Sequence, residues 1–217
     1  MRIAVLGTGA VGATLGCAFV ASGHEVRMGS RTAGNEKAVA WVAATGDGAS
    51  EGTFADAASW GEIVVNATGG LVSVDALTAA GADNLAGKVV LDISNPLDFS
   101  EGFPPKVAQP DGRSLGELLQ ATFPAARVVK TLNTMNADLM VSPRSLPGSH
   151  SVFVAGDDAD AKAVAAGLLG GFGWESDEIV DVGGIAAARG LELYLPLWLS
   201  LMGSFGTPAF NVRVVRA

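Results

Sequence analysis

The sequence predicts an α/β fold, a doubly wound parallel sheet with a small C-terminal helical extension. Three observations support this prediction. Short apolar segments alternate with helical or loop segments over residues 1–155, a pattern typical of parallel strands joined by helices. A glycine-rich turn follows the first apolar segment, and a strongly apolar helical stretch lies near the C-terminal end of the sequence.

Each predicted strand is a short apolar run bounded by turn residues. The predicted strands are Ile3–Leu6, Glu25–Met28, Ile63–Ala67, Val89–Ile93, Val128–Thr131 and Val152–Ala155, with a later one near Glu175–Val180. The glycine-rich segment Thr45–Gly52 is predicted to be a surface excursion, and Asp98–Arg113, rich in proline, glycine and charge, a loop. Ser114 and Glu117 have the spacing of a capping box, so a helix is expected to begin there and run to Thr122.

The first strand leads directly into the sequence Gly7-Thr8-Gly9-Ala10-Val11-Gly12, which a predicted helix follows. Strand, glycine turn, helix and second strand together form the dinucleotide-binding fingerprint of the Rossmann fold. Gly7 would make the tight turn, Gly9 would let phosphates approach, and Gly12 would let the helix pack on the strand. The alternative is a purely structural glycine turn. We expect residues 1–155 to form the nucleotide-binding domain and residues 156–217 to form an extension that completes the cleft.

The end of the second strand bears on which nucleotide binds. NAD-specific domains carry an acidic residue there, which bonds the ribose 2′-hydroxyl. This chain instead has Ser30 and Arg31, and a guanidinium can donate two hydrogen bonds to a phosphate. Lys37 would add a second positive charge, unless it is only a solvated surface residue. The sequence therefore predicts NADP(H) as the cofactor.

Small and amide side chains follow two later strands, where parallel sheets form their ligand crevice. Ala67, Thr68 and Gly69 are expected to admit the nicotinamide half of the cofactor. Asn133 would bond the nicotinamide carboxamide or a substrate, or would only satisfy the backbone of its own turn. None of these side chains titrates near neutral pH, and His24 and His150 are expected to be structural. The sequence therefore predicts hydride transfer without an ionisable catalytic group.

Composition excludes several other classes of function. The formal charge of −8 argues against nucleic acid and anionic membranes as partners. The single cysteine, Cys17, is expected to be buried in the first helix, and neither a disulfide within the chain nor a metal site is predicted. The sequence begins on its first strand without a signal peptide, so a cytoplasmic location is expected.

The terminal helix, predicted from Ile185 to Met202, is apolar on more than one face. One domain covers only one of these faces, so the helix is expected to form a dimer interface or the roof of the cleft. Arg189, Glu192 and Pro196 interrupt the run, which argues against a membrane span.

The sequence resembles the coenzyme F420-dependent NADP oxidoreductases over most of its length. The resemblance rests on Met1–Gly9, Gly29–Arg31, the run Lys130-Thr131-Leu132-Asn133-Thr134-Met135, the run Ala155–Asp158, and Ala188–Glu192 before the apolar helix. It implies that Thr8, Ser30 and Arg31 hold the 2′-phosphate side, and that Met135 packs where two redox rings meet. It also implies a homodimer and direct hydride transfer between NADP(H) and a deazaflavin.

The chain departs from that family at one point. Family members that use the deazaflavin commonly have a Pro-Trp pair where this chain has Gly69-Gly70. The wall that would face the deazaflavin is therefore altered, while the NADP side is intact. The remaining alternatives are reduction of a flavin, an imine or a small carbonyl compound by NADPH, and a non-catalytic module that senses NADP(H).

Overall fold

A computed structural model describes residues 1–109 and 112–216 of the chain. The strands are β1 (Arg2–Leu6), β2 (Glu25–Ser30), β3 (Ala49–Thr53), β4 (Ile63–Asn66), β5 (Val89–Asp92), β6 (Leu97–Asp98), β7 (Lys106–Val107), β8 (Arg127–Thr131), β9 (Val152–Ala155) and β10 (Ile179–Asp181). Eight of them form one sheet in the order β10-β9-β8-β5-β4-β1-β2-β3, and β6 pairs with β7 separately.

Helices cover both faces of the sheet. They are α1 (Ala10–Ala21), α2 (Glu36–Thr45), α3 (Phe54–Trp60), α4 (Ser73–Ala80), α5 (Ala82–Leu85), α6 (Leu115–Thr122), α7 (Ala137–Val141), α8 (Ala159–Gly171), α9 (Ala188–Leu193) and α10 (Leu195–Phe205). One apolar cluster includes Leu15 of α1 and Leu168 of α8, and a second includes Leu77 of α4 and Leu119 of α6. Two cores, one on each face, confirm the predicted doubly wound fold.

The first strand lies between β2 and β4, and both pairs are parallel. The order of the strands reverses at this point, because β2 and β3 extend to one side and β4, β5 and β8 to the other. A ligand crevice forms at the carboxyl ends of the strands beside such a reversal. The fold thus positions the glycine turn after β1 opposite the segment after β4.

The segment Thr45–Gly52 is not only a surface excursion, because β3 begins within it and pairs with β2 in parallel. The sequence of β3 lacks the apolar alternation of a typical strand, since it forms an edge of the sheet. The predicted loop Asp98–Arg113 is largely irregular but contributes to the β6–β7 pair, and Pro110 and Asp111 lie outside the described residues.

The assignment of Val152–Ala155 to the parallel set was wrong, because β9 runs antiparallel to β8. Only the five-residue α7 and a 3-10 turn lie between these strands. The connection, residues 132–151, is long enough for a parallel crossover, but the five-residue α7 is too short to return the chain to the other end of the sheet, as the helix of a crossover usually does. The last strand, β10, lies nearer the C-terminus than its predicted position and pairs in parallel with β9, so it extends the same sheet.

The predicted terminal helix is interrupted. It consists of a 3-10 turn at Ile185–Ala187 followed by α9 and α10, with Tyr194 between the two helices. Pro196 lacks the N–H that would continue the helical bonding across this junction. By length and composition alone, residues 185–205 would suffice to cross a membrane. In the structure, however, Glu192 is completely buried against Lys130, which docks the segment on the sheet domain.

Cys17 is exposed, not buried as predicted. It lies on the outer side of α1, while Leu15 and Phe19 face the core. The Sγ atom accepts a hydrogen bond from the indole Nε1 of Trp41 at 3.2 Å. Alanine and glycine neighbours make every face of α1 apolar, so the sequence did not show which side is buried.

Candidate cofactor-binding site

Two adjoining cavities lie at the carboxyl edge of the sheet. The first, of about 660 Å³, is lined by Gly7, Thr8, Gly9, Ser30, Arg31, Asn35, Phe54, Ala67, Thr68, Gly69, Val72, Asp75, Ala76 and Ala79. The second, of about 250 Å³, is lined by Val11, Ala67, Thr68, Ile93, Ser94, Asn95, Leu97, Asn133, Met135, Asn136, Ala137 and Met140. Because Ala67 and Thr68 line both, the cavities form one cleft beside the strand reversal.

The glycine turn has the geometry that a pyrophosphate requires. Gly7 has a φ of 119°, and a Cβ there would lie 2.5 Å from the carbonyl oxygen of Ala67. A Cβ on Gly12 would lie 2.1 Å from the carbonyl oxygen of Gly7, so α1 packs directly on the turn. Gly9 is exposed, and apart from its own chain neighbours no described residue has an atom within 4 Å of where its Cβ would be. The turn is thus packed against backbone at Gly7 and Gly12 and accessible from the cleft at Gly9.

The amino end of α1 supplies the matching electrostatics. Gly9 precedes the helix without a side-chain cap, and the first turn contains no acidic residue. The N–H groups of this turn and the positive end of the helix dipole therefore face the cleft without a competing carboxylate. Ala10 and Val11 occupy the first two helical positions, and Val11 also lines the second cavity.

Arg31 lies at one end of the first cavity, directly after β2. Its side chain is exposed, and it takes part in no ion pair among the described residues. Ser30 lines the same end, but its hydroxyl donates to the carbonyl oxygen of Thr32 at 2.6 Å. Arg31 is therefore the main donor available to a phosphate here. Lys37 is exposed in the first turn of α2 and does not line the cavity.

The second cavity contains the predicted residues from the segment after β8. Met135 is buried in its wall, and Asn133 is only 3% exposed. The Asn133 amide nitrogen donates to the side chain of Asn95 at 2.9 Å and to the carbonyl oxygen of Leu191 at 3.1 Å. The Asn133 Oδ1 atom is buried and has no hydrogen-bond partner in the part of the chain that the structure describes. This free acceptor suits the amino group of a carboxamide.

The backbone leading to Asn133 is strained. Leu132 has a φ of 61°, which is unfavourable for a branched side chain. Such strain is tolerated where surrounding contacts hold the chain in place. Here the Asn95 and Leu191 contacts of Asn133 provide that restraint.

Gly69 and Gly70 differ in what they tolerate. Gly69 is exposed, with only one atom near the position of its Cβ, the Cγ2 of Val72 at 3.8 Å. A Cβ on Gly70 would lie 2.2 Å from the carbonyl oxygen of Asn95. A side chain as large as tryptophan is therefore sterically excluded at Gly70 in this backbone, whereas Gly69 leaves open space in the cleft.

A buried polar network behind the cleft was not predicted. Thr68 donates to the Asn66 Oδ1 atom at 2.7 Å, and the Asn66 amide donates to Asp92 at 2.9 Å. Asp92 pairs with Lys130 at 2.8 Å, and Lys130 pairs with Glu192 at 2.9 Å. Burial acts to lower the pKa of Lys130, but the two carboxylates outweigh it and raise this pKa above its ordinary value. In the sequence Asp92, Lys130 and Glu192 are far apart, so only the fold shows that they form one network.

Asp75, at the amino end of α4, is a further residue that sequence reasoning missed, and it lines the first cavity.

The two histidines lie away from the cleft. His24 directly precedes β2, at the amino ends of the strands and so at the opposite end of the sheet from the cleft. Burial and the neighbouring amino terminus lower the pKa of His24. His150 is buried and contacts the carbonyl oxygen of Pro143 at 2.9 Å. Neither histidine lines either cavity.

Known proteins resemble this chain in sequence and fold. The family model described as NADP oxidoreductase, coenzyme F420-dependent, matches residues 2–96. A crystal structure from Arthrobacter sp. FB24, provisionally described as an F420-dependent NADP reductase, is 50% identical with a TM-score of 0.94, and the match covers 100% of both chains.

Two more distant proteins show how far the likeness extends. Rat metalloreductase STEAP3 is 30% identical over 206 residues, which are 91% of this chain and 38% of STEAP3. The chain thus spans well under half the length of that relative. A reductive aminase from Aspergillus terreus, solved with NADPH, has a TM-score of 0.67 at 20% identity, covering 94% of this chain and 62% of the aminase. That likeness shows the fold alone.

Proposed function

Because this chain belongs to the family of coenzyme F420-dependent NADP oxidoreductases, we propose that it transfers a hydride between NADP(H) and a deazaflavin of the coenzyme F420 type. The observation that carries the proposal is the continuous cleft. Arg31 stands at one end of it, the uncapped amino end of α1 lies in the middle, and the pair Asn133 and Met135 lies at the other end.

The residues of the cleft fit NADP(H). Arg31 would hold the 2′-phosphate, and the turn from Gly7 to Gly12 would hold the pyrophosphate. The free Asn133 Oδ1 would accept a hydrogen bond from the carboxamide, and Met135 would pack against the ring. When bound, the nicotinamide supplies or accepts the hydride. The protein orients the ring and excludes water from its face.

The lining of the second cavity favours an acceptor that needs no protein acid. Among the described residues, no side chain that lines it is ionisable. Imine and carbonyl substrates require a proton as well as a hydride, so a proton donor is expected beside them. A deazaflavin, or a flavin as the second candidate, spreads the charge of the accepted hydride over its rings and can take the matching proton from solvent, so it needs chiefly a flat surface to pack on. The open space at Gly69 allows such a ring to approach.

Parallel assays of NADPH oxidation test the proposal. Purified protein is mixed with coenzyme F420, FMN, FAD, a small carbonyl compound or a cyclic imine, and the absorbance of NADPH is followed. Fastest turnover with coenzyme F420 is expected. Turnover only with a flavin, an imine or a carbonyl compound would replace the deazaflavin, and NADPH binding without turnover of any acceptor would indicate a sensing module.

We further propose that the protein works in the cytoplasm as a homodimer with a small-molecule redox partner. Its net charge of −8 supports the absence of nucleic-acid and membrane partners. Leu193, Leu197 and Phe205, near the C-terminal end of the structure, are each more than half exposed and supply an apolar surface for a second copy.

A further inference from the structure

Three ionisable side chains behind the second cavity have no part in the mechanism proposed above. Asp92 on β5, Lys130 on β8 and Glu192 on α9 each have 0% side-chain exposure. The Lys130 Nζ atom lies 2.8 Å from Asp92 and 2.9 Å from Glu192. Lys130 therefore lies between the two acids.

Hydrogen bonds identify the charge on Asp92. Its Oδ1 atom accepts from the backbone N–H of Ser94 at 3.2 Å, from the Ser94 hydroxyl at 2.6 Å and from the Asn66 amide at 2.9 Å. Its Oδ2 atom accepts from Lys130. Every partner among the described residues is a donor, so both oxygens of the Asp92 carboxylate act as acceptors.

The same reasoning applies to Glu192. Its Oε1 atom accepts from Lys130 and from the backbone N–H of Gly116 at 3.1 Å. Its Oε2 atom accepts from the backbone N–H of Leu115 at 2.9 Å. Two carboxylates and one ammonium give the cluster a net charge of −1. The positive end of α6 faces Glu192 and offsets that carboxylate more than it offsets Asp92.

Of the two acids, Asp92 is the one next to residues that line the second cavity. Ile93 and Ser94, which directly follow Asp92, both line this cavity. The Asp92 carboxylate is thus one hydrogen bond behind the cavity wall. Because all three side chains are fully buried, solvent screens the field of the cluster only weakly.

We propose that the Asp92–Lys130–Glu192 cluster stabilises the oxidised nicotinamide relative to the reduced one and so favours hydride donation by the bound cofactor. Loss of a hydride, which carries two electrons and one proton, changes the ring from neutral to one positive charge, and the acceptor gains that hydride. A fixed negative charge nearby favours the positive form. The inference rests on the proposed function, since it requires NADP(H) to bind with its ring in the second cavity.

Equilibrium binding tests this inference without turnover. Dissociation constants for NADP⁺ and NADPH are measured by calorimetry for the wild-type protein and for Asp92→Asn and Glu192→Gln. Each substitution removes one negative charge and is expected to raise the ratio of the NADP⁺ constant to the NADPH constant by about fivefold or more. Asp92→Asn is expected to have the larger effect, because Asp92 is nearer the cavity.

Asp75→Asn is the matched control. It removes a carboxylate from the same cleft, but from the first cavity. Both dissociation constants are expected to move together in this variant, so that their ratio stays unchanged. Thermal melts establish that each variant is folded, and Glu192→Gln tests the same charge if Asp92→Asn does not fold.

An unchanged ratio in the folded cluster variants, with both nucleotides bound, would overturn the inference and leave the proposed function intact. A wild-type protein that binds neither nucleotide would contradict the proposed function itself, and the inference with it.

Discussion

At the scale of single residues, Arg31 is expected to decide which nucleotide the cleft prefers. A guanidinium–phosphate contact contributes about 1.5–3 kcal/mol, so we predict at least about a tenfold preference for NADPH over NADH. Arg31→Ala should remove most of this preference, because the Ser30 hydroxyl already donates within its own turn. Fluorescence titration with NADPH and NADH gives the two dissociation constants, and their ratio measures the preference.

Lys37→Ala serves as the control for this prediction. Lys37 is exposed and does not line the cavity, so its loss should change the preference little. Equal dissociation constants for NADPH and NADH in the unmodified protein would refute the role of Arg31.

Ring positioning gives a second prediction at this scale. Met135→Ala and Gly69→Phe should each lower turnover by about tenfold or more, because one removes the wall of the second cavity and the other fills the open space of the cleft. A Cβ at the exposed Gly69 would meet only the Val72 Cγ2 atom, at an ordinary contact distance of 3.8 Å, so the fold should persist. Turnover with NADPH and coenzyme F420 measures the effect.

Variants of the two histidines serve as the comparison for the Met135 and Gly69 variants. His24→Ala should leave turnover nearly unchanged. His150→Ala should lower the melting temperature, because it removes the buried contact with Pro143, but turnover per folded molecule should persist. If either histidine variant abolished turnover while it still folded and bound NADPH, proton transfer by that histidine would replace the present mechanism.

The cleft residues could be predicted because they occupy fixed places in a local motif. The turn from Gly7 to Gly12 and Arg31 follow two consecutive strands, so their positions are set by nearby sequence. The link between Asp92 and Lys130 joins residues 38 positions apart on separate strands. No local pattern reports such a pair, and a lysine at a strand end is ordinarily taken to be solvated.

At the scale of elements, Glu178 joins three pieces of the chain. Its carboxylate accepts from Arg144 in the 3-10 turn before β9, from the backbone N–H of His150 at 3.3 Å and from that of Glu175 at 3.1 Å. Burial acts to raise the pKa of Glu178, but these donors outweigh it and lower the pKa from 4.5 to about 2. The ionised form is therefore favoured in the folded protein.

A pH dependence of stability follows from this pKa. The contribution of Glu178 is fully present above pH 4.5, the ordinary value, and is lost as the pH falls toward about 2. Glu178→Gln should lower the free energy of unfolding by about 2 kcal/mol at neutral pH and weaken its decline in acid. Urea denaturation at several pH values measures both.

Asp177→Asn is the control for Glu178, because Asp177 is an exposed acid in the same turn. It should leave the stability and its pH dependence nearly unchanged. If the free energy of unfolding fell as steeply in acid for Glu178→Gln as for the wild type, other carboxylates would be the cause of the decline.

Elements were predictable where their signals were local. The capping box at Ser114 and Glu117 is present as expected, and α6 begins directly after it. The direction of β9 and the existence of β3 depend on which strands meet, and sequence periodicity does not contain that information. Alternation was absent from β3 because four of the five residues of this edge strand are only half-buried, so neither face requires a row of apolar side chains.

At the scale of the whole molecule, the apolar end of the structure predicts self-association. Leu191 and Leu195 are buried against the domain, whereas Leu193 and Leu197 are 52% and 55% exposed. Light scattering should give a mass near twice 21.9 kDa. Leu197→Glu should shift the protein toward the monomer, because it places a charge on the apolar face.

Val39→Glu is the matched control for self-association, since Val39 is an exposed apolar residue on α2. It should not alter the mass in solution. A monomeric wild-type protein throughout the micromolar range would contradict the dimer.

The pairing of Glu192 with Lys130 also orders events during synthesis. Proteins are made from the amino end, and their domains generally fold as units while the chain grows. The residues that line the nucleotide cleft come before residue 141 in the chain. Lys130, behind the cleft, gains its second carboxylate partner only when Glu192 has been made. The same carboxylate accepts hydrogen bonds from two backbone N–H groups at the start of α6. A nascent chain that ends before Glu192 would leave Lys130 with one carboxylate partner instead of two. Cofactor binding should therefore begin late, and chains cut short before Glu192 should be recognised and degraded as unfolded.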